Sequence, residues 1–301
     1  MKVVVTGGTG FLGGALVAAL RADGHDVLVL TRRPARTPGE VQWAPAAGLD
    51  VWAKSFEGAG AVVNLAGEAI AGGRWTAARK RAILASRLEA TNGVVAALRA
   101  AGAPGATLLS GSAIGYYGTP GDAPLDESSP AGTDFLATVC REWEAEAREA
   151  EARVVLLRTG LVLARGGGAL QQLALPFRFF AGGPLGSGRQ VMSWIHRDDW
   201  IAMVRWALAN PAVHGPLNLT APAPVTNREM ATALGRALHR PSFMPAPAFA
   251  LRLALGEMAD AMVLNGQRVL PAVAQRAGFT FRFPTLDAAL AEIYGVPRPK
   301  P

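Results

Sequence analysis

The sequence predicts an α/β protein: a doubly wound parallel sheet, covered by helices on both faces, precedes a smaller, mostly helical C-terminal lobe. Three observations lead there. The first 31 residues read strand, helix, strand. The same alternation continues to Thr159. After Gly160 it gives way to glycine loops and short helices broken by Pro241, Pro245, Pro247, Pro271 and Pro284. Strands separated by helices are joined by crossovers, and crossovers make a parallel sheet with both faces covered. Half of the 301 residues are apolar and 18% are charged, so the chain can fill such a core and is not of disordered composition.

Residues 3–6 are a short β-branched run and read as a buried strand. Residues 11–20 read as helix, stopping near Asp23-Gly24, and 26–31 as the second strand. Another buried strand spans 61–65. Residues 75–101 carry Ile83, Leu84, Leu88, Val94, Val95 and Leu98 in a long helical pattern, which Gly102 and Pro104 end. A strand at 107–110, a helix at 135–152 and a strand at 153–159 follow. Gly166-Gly167-Gly168 marks a boundary. After an irregular glycine loop at 182–188, residues 191–195 read as a strand feeding a helix at 198–209, and 217–219 as a brief strand. The domains are therefore a sheet domain of 1–167, to which 191–218 returns, and a smaller lobe of 168–190 and 219–301.

Several function classes fall away on composition. The net charge is +7, but Lys2, Lys54, Lys80 and Lys300 are the only lysines, and the arginines are spread along the chain. A nucleic-acid binder concentrates its charge in a stripe or tail; an anionic small molecule is the better-matched partner. Cys140 is the only cysteine, which excludes an internal disulfide and suits a reducing, cytoplasmic setting. The scattered His25, His196, His214 and His239 give no zinc-ligand spacing, so no metal is expected. The opening run turns into glycine too early for a signal peptide. The most apolar stretch, 249–264, is broken by Arg252, Glu257 and Asp260, so no membrane association is expected. A homodimer is compatible with this reading.

The turn after the first strand is Thr6-Gly7-Gly8-Thr9-Gly10-Phe11-Leu12-Gly13. Gly7 permits a sharp turn, Gly10 lets backbone approach a pyrophosphate, and Gly13 lets the helix pack on the strand. The helix start offers free N–H groups to phosphates. Following a buried strand and opening a helix, this turn marks a dinucleotide-binding Rossmann domain. Thr6, Phe11 and Leu12 flank the glycines and belong to the same site. Arg32 and Arg33 end the second strand where an NAD site places a carboxylate. Their guanidinium forks suit a 2′-phosphate, so NADP(H) is preferred over NAD(H); the plain alternative is two solvated loop arginines. Leu65-Ala66-Gly67, Ser110 and Arg158-Thr159-Gly160 end later strands on the same edge and complete the candidate cofactor site.

These residues resemble the extended short-chain dehydrogenases/reductases, the NAD-dependent epimerase/dehydratase family. Ser110-Gly111-Ser112-Ala113-Ile114-Gly115-Tyr116-Tyr117-Gly118 is similar to that group's active-site strand end, and Trp194-Ile195-His196-Arg197-Asp198-Asp199 resembles its returning segment. A narrower resemblance, covering essentially the whole chain, is to an atypical epimerase-like branch with a C-terminal domain of unknown function. It rests on Asn64-Leu65-Ala66-Gly67-Glu68, Arg74-Trp75, Ser86-Arg87, Cys140-x-x-Trp143-Glu144, Gly256-Glu257-Met258 and Gly278-Phe279-x-Phe281. The resemblance implies a Ser with a Tyr-x-x-x-Lys pair on the following helix. That pair is absent: Tyr116, Tyr117 and Tyr294 are the only tyrosines, and no lysine stands between Lys80 and Lys300.

Candidate residues carry two readings each. Ser112 is either the family's carbonyl-binding hydroxyl or a turn cap. Tyr116 and Tyr117 either donate a proton or pack as rings with satisfied hydroxyls. Cys140 is a buried thiol rather than a nucleophile. Glu142, Glu144 and Glu146 lie at surface ion-pair spacing with Arg141 and Arg148. Glu68, Arg74 and Arg87 either clamp an anionic substrate or line a solvated face. His196 reads as a residue beside a helix cap. Two functions stand open: an NADP(H)-binding epimerase-like oxidoreductase acting on a small-molecule substrate with an atypical active site, or a non-catalytic NADP(H)-binding sensor or scaffold.

Overall fold

The computed structural model describes residues 1–45, 52–103 and 105–295; Pro104, read as part of a helix stop, lies outside the described residues. In chain order the elements are β1 (Lys2–Thr6), α1 (Phe11–Ala22), β2 (Asp26–Thr31), β3 (Glu40–Gln42), β4 (Ala59–Asn64), α2 (Ala77–Ala100), β5 (Thr107–Ala113), β6 (Pro124–Leu125), α3 (Phe135–Arg148), β7 (Arg153–Thr159) and β8 (Leu161–Leu163). They continue with α4 (Gly168–Arg178), β9 (Val191–Met192), β10 (Trp194–His196), α5 (Arg197–Ala209), β11 (Gly215–Leu219), β12 (Val225–Thr226), α6 (Asn227–Leu238), α7 (Ala248–Leu255), α8 (Glu257–Ala259), β13 (Arg268–Val269), α9 (Ala272–Arg276) and α10 (Leu286–Tyr294).

Seven strands form one parallel sheet in the order β11-β7-β5-β4-β1-β2-β3. From β1 the chain steps outward through β2 and β3, then crosses to the other side and steps outward through β4, β5, β7 and β11. The direction reverses between β1 and β4. A crevice at the carboxyl ends of such strands is where open α/β sheets receive ligands.

Alternation along the strands builds a core on each face. Val3 and Val5 face α1 and α5 beside Leu16, Leu20, Trp200 and Met203, while Val4 faces α2 and α3 with Val62, Leu108, Val94 and Ala147. The segment after β10 comes back to the sheet: α5 shares the first core with α1, and β11 pairs with β7. A third core joins Leu163, Leu170, Trp194, Met230, Leu234, Phe283 and Leu290, binding β8, β10, α4, α6 and α10 into the second lobe.

Three element readings are corrected. The strand expected at 191–195 is two, β9 and β10, which pair with β12 and β8 outside the main sheet. Between them Ser193 leaves the ladder: its hydroxyl donates to the Gln267 carbonyl and accepts from the Val269 N–H, each at 2.8 Å. The helix expected at 135–152 ends at Arg148, because Glu149 and Ala150 tighten its last turn onto the Glu146 and Ala147 carbonyls and Ala150 enters the core ahead of β7. The edge strand β3 was not foreseen; three half-exposed residues carry too little pattern.

Candidate cofactor and active site

The glycine turn closes at the switch between β1 and β4. Gly7 has φ +68°, and a Cβ there would lie 2.7 Å from the Leu65 carbonyl oxygen. A Cβ on Gly13 would collide with the Gly7 carbonyl oxygen, so only glycine lets α1 seat this close. Gly10 differs. A Cβ there would approach only the Gly7 oxygen, at 3.2 Å, and the residue is exposed. The open side of Gly10 is the cradle a pyrophosphate needs. Gly10 caps α1 without a side-chain bond, and the first intrahelical bond is Gly14 N–H to the Gly10 carbonyl at 2.8 Å. The N–H groups of Phe11, Leu12 and Gly13 therefore lack helical acceptors. The Phe11 ring packs under Gly167 and Gly168, and Leu12 packs against the first core, so both side chains are turned to protein.

Arg32 and Arg33 follow β2 directly, beside this turn, since β1 and β2 pair in register from Lys2 with Asp26 to Thr6 with Leu30. Both are exposed, and neither side chain has an ion-pair partner among the described residues.

On the other side, a buried chain of hydrogen bonds fixes the end of β4. The Thr6 hydroxyl accepts from the Ala66 N–H at 3.2 Å and donates to Asn64 Oδ1 at 2.6 Å. Asn64 Nδ2 donates to Thr91 Oγ1, which also accepts from the Trp143 indole, each at 2.9 Å. Thr6 thus acts through the segment Leu65-Ala66-Gly67. The three residues read as a substrate set diverge. The Glu68 carboxylate pairs with Arg79 at 2.9 Å. Arg74 lies exposed against Gly256 of the second lobe. Arg87 is not on a solvated face: it is 7% exposed, beneath Gly67, with its guanidinium 5.0 Å from the Trp143 ring centroid.

The end of β5 carries a second buried network. Ser112 donates to Glu144 Oε1 at 2.7 Å. Arg158 grips the same carboxylate with Nε at 2.8 Å and Nη2 at 2.9 Å. Its Nη1 donates to the Tyr117 hydroxyl at 3.0 Å, and that hydroxyl donates to Asn218 Oδ1 at 2.6 Å. Asn218 is held in turn by Glu127, whose carboxylate accepts its N–H and that of Val273, each at 3.1 Å. The surface reading of Glu144 is therefore wrong: the residue has no exposed surface. Its neighbours decide this, because Glu144 shares with Ala137, Cys140 and Ala147 the helix face turned to the sheet.

The network sorts the remaining candidates. Arg158 is tied to Glu144 on the face of α2 and α3 rather than opening to the crevice. Ser110 points the same way and is fully buried. Thr159 accepts from the Trp200 indole at 3.1 Å, and Gly160 fits close under Ser193 and Thr220. Burial pushes Tyr117 up to about 12, although Arg158 works against it. Burial likewise opposes the Arg158 cation, but Glu144 outweighs it and holds the guanidinium above its ordinary value. Tyr116 is half-buried, with its ring 3.5 Å from the Arg158 guanidinium carbon, and its hydroxyl has no partner among the described residues. Leu136 and Cys140 face Gly115, so an apolar chain and a thiol occupy the helix turn beside the Ser112 strand end. Burial pushes that thiol up to about 11, in keeping with a packed rather than a reactive group. His196 caps α5, accepting the Asp198 N–H at 3.1 Å, and bonds Glu292 at 3.0 Å.

Sequence reasoning missed Glu127, Glu144 and Asn218 as parts of this network. Glu144 carried a signal, a carboxylate set within an apolar helix stripe.

A Rossmann-type α/β protein, with a glycine cradle at the sheet's switch point and a buried polar network behind it, is the class these features define. The chain belongs to the NAD dependent epimerase/dehydratase family, whose sequence pattern matches residues 3–219; a domain of unknown function, DUF1731, matches residues 246–293. It is 45% identical over 300 residues to Epimerase family protein Mb2239 of Mycobacterium bovis, covering 99% of this chain and 98% of that protein. The crystal structure of human epimerase family protein SDR39U1 with NADPH superposes with a TM-score of 0.90 at 39% identity, covering 98% of this chain and 99% of that one. A nucleoside-diphosphate sugar epimerase from Corynebacterium glutamicum is 35% identical with a TM-score of 0.79; the match covers 98% of this chain and 58% of that one. No helix among the described residues is long and apolar enough to cross a membrane.

Proposed function

We propose that this chain is an NADP(H)-binding, epimerase-like oxidoreductase whose active site works without a Tyr-x-x-x-Lys pair. The observation that carries the reading is the open cradle at Gly10 with the unpaired Arg32 and Arg33 beside it. The human relative crystallised with NADPH supports the choice of cofactor. When bound, NADP(H) supplies or takes up a hydride. The chain's residues do the rest. The N–H groups at the start of α1 meet the pyrophosphate, and Gly7 and Gly13 hold that turn in shape. Arg32 and Arg33 bracket the 2′-phosphate. Leu65, Ala66 and Gly67 form the wall against the nucleoside, and Thr159 and Gly160 the opposite strand end. The buried thiol Cys140 suits the reducing cytoplasm.

Ser112 and Tyr116 handle the substrate oxygen. The Ser112 hydroxyl has one hydrogen, and Glu144 holds it. Turning it to a substrate oxygen costs Glu144 one hydrogen bond and leaves both bonds from Arg158 in place. Tyr116 is the better proton donor of the two tyrosines, because Tyr117 already donates to Asn218. Glu68 and Arg74 stand at the outer rim of the cleft. A second reading, a sensor without turnover, is favoured by the commitment of Ser112 and Tyr117 to protein partners.

The test titrates NADPH and NADH by fluorescence and follows NADPH oxidation against a panel of carbonyl compounds. We expect NADPH to bind more tightly, Arg32→Ala to weaken NADPH by about 10- to 100-fold with NADH nearly unchanged, and Ser112→Ala and Tyr116→Phe to slow turnover. Binding without turnover on every compound would establish the sensor, and absence of NADPH binding would end both readings.

A further inference from the structure

The second lobe carries its exposed apolar residues in one region. Nine large apolar side chains are exposed among the described residues, and eight of them lie between Leu175 and Met262. Six are central: Phe179 and Phe180 at the end of α4, Phe243 and Met244 after α6, and Phe249 and Leu253 on α7. The segments that carry them run side by side. The Arg240 guanidinium lies 4.6 Å from the Phe180 ring centroid, the Met244 N–H donates to the Gly182 carbonyl at 3.1 Å, and Leu185 bridges Ala246 in parallel. On α7, Phe249 and Leu253 stand one turn apart on the same face, and no residue of that helix is buried. Contiguous exposed apolar surface of this kind marks an interaction site.

Shape and charge say what covers it. Phe179, Phe243, Phe249 and Leu253 are 74 to 77% exposed, so they project from the surface rather than line a groove. Phe180 is held at φ +58°, a conformation that bulky residues avoid, and its side chain still faces solvent. The groove behind Met244, lined by Leu173, Pro176, Met230 and Leu234, holds about 150 Å³, too little for a bound helix or strand. Residues 152–197 and 230–256 contain no Asp or Glu. Within them Arg165, Arg178, Arg189 and Arg240 are exposed and have no ion-pair partner among the described residues. Arg236 and Arg252 pair with Asp287 and Asp260. Projecting apolar anchors beside unpaired cations match an anionic lipid surface. A second copy would bring the same cations face to face across an isologous contact, and an acidic peptide would need a groove to enter. Lying on a bilayer asks for no span, so the charges that break the stretch 249–264 do not oppose it.

We propose that this face of the second lobe docks on a membrane surface containing anionic lipids. Phe179, Phe180, Phe243, Phe249 and Leu253 enter the interface, and Arg178 and Arg240 meet the headgroups. The proposal does not depend on the cofactor reading. The two groups of residues do different work: the apolar anchors give affinity that salt leaves in place, and the arginines give a preference for anionic lipid that salt screens.

The experiment sediments the full chain with vesicles of phosphatidylcholine, alone or with about one-third phosphatidylglycerol, at low and high salt, and measures the bound fraction. Beside wild type it uses Phe179→Gln with Phe243→Gln, Arg178→Gln with Arg240→Gln and, as a charge control on α2 and α3, Arg99→Gln with Arg141→Gln. Thermal midpoints establish that each variant folds, and sedimentation velocity without lipid gives the oligomeric state. Wild type is expected to bind the phosphatidylglycerol vesicles about tenfold more strongly than the neutral ones, and more weakly in high salt. Both patch pairs should lose about tenfold, while the control pair stays within about threefold of wild type. Should the phenylalanine pair fail to fold, Phe249→Gln alone is expected to weaken binding in the same direction. Wild type that stays in solution with both vesicles overturns the proposal; a dimer that the phenylalanine pair then dissolves would assign the face to a second copy. Equal binding to both vesicles overturns it too, as does equal loss in the control pair, which would trace binding to net charge alone.

Discussion

Glu144→Gln isolates the charge at the centre of the buried network. The glutamine keeps the shape and one acceptor, and it removes the anion that faces Arg158. Arg158 is 1% exposed and donates two bonds to that carboxylate, at 2.8 and 2.9 Å. Breaking a buried ion pair by removing one partner costs about 3–5 kcal/mol, because the surviving charge stays desolvated. Arg158 retains neutral partners in the Tyr117 hydroxyl and the Glu127 carbonyl, so the lower end, about 3 kcal/mol, is expected. Urea unfolding followed by the fluorescence of the seven tryptophans reads this directly. The double change Glu144→Leu with Arg158→Met removes both charges and should recover most of the loss, since apolar replacements of a buried pair are often neutral. A loss below about 1 kcal/mol in Glu144→Gln, or a double variant as unstable as the single one, would refute the charge argument and leave packing as the cause.

Two further expectations concern the same elements. Gly13→Ala places a methyl on the Gly7 carbonyl oxygen and should destabilise by about 3 kcal/mol, measured by urea midpoint; a neutral effect would show that α1 can lift from the turn without loss. Alkaline pH should weaken the fold in two stages. Burial raises Cys140 from about 9 to about 11 and Tyr117 from 10 to about 12, so the folded state favours both neutral forms. Their contribution is whole below the unfolded values and is lost as pH rises through the folded ones. Cys140→Ala should flatten the stability profile between about pH 9 and 11, and Tyr117→Phe between about pH 10 and 12; profiles that keep their slope in both variants would contradict this.

The fold was legible where pattern is local. The β-branched run at Val3, Val4 and Val5, the glycines at 7, 10 and 13 and the helix that follows lie within one short stretch, so the sequence alone locates the switch-point crevice. Legibility failed where a role depends on distant partners. Glu144 lies four residues from Arg148, a spacing that reads as a surface pair, and that pair does form at 3.2 Å. What pairs Glu144 inside the protein is Arg158, on a strand whose register with Ser112 no local pattern reveals. Asn218 and Glu127 meet only because β11 joins the sheet beside β7.

Both buried charges nonetheless left the same mark. On α2, Ile83, Arg87, Ala90 and Val94 form one buried stripe, and on α3, Ala137, Cys140, Glu144 and Ala147 form another. A charge in an apolar stripe is costly to keep, so each needs a physical reason. Glu144 has its reason inside the protein: two arginines and a serine hydroxyl satisfy it. Arg87 has two carbonyl acceptors and the Trp143 ring, and it packs beneath Gly67. The contrast is one of partners: Glu144 is paired with charge, and Arg87 with neutral groups. It also bears on the absent Tyr-x-x-x-Lys pair. With Leu136 and Cys140 on the turn of α3 that faces Gly115, that turn supplies neither a phenol nor a cation.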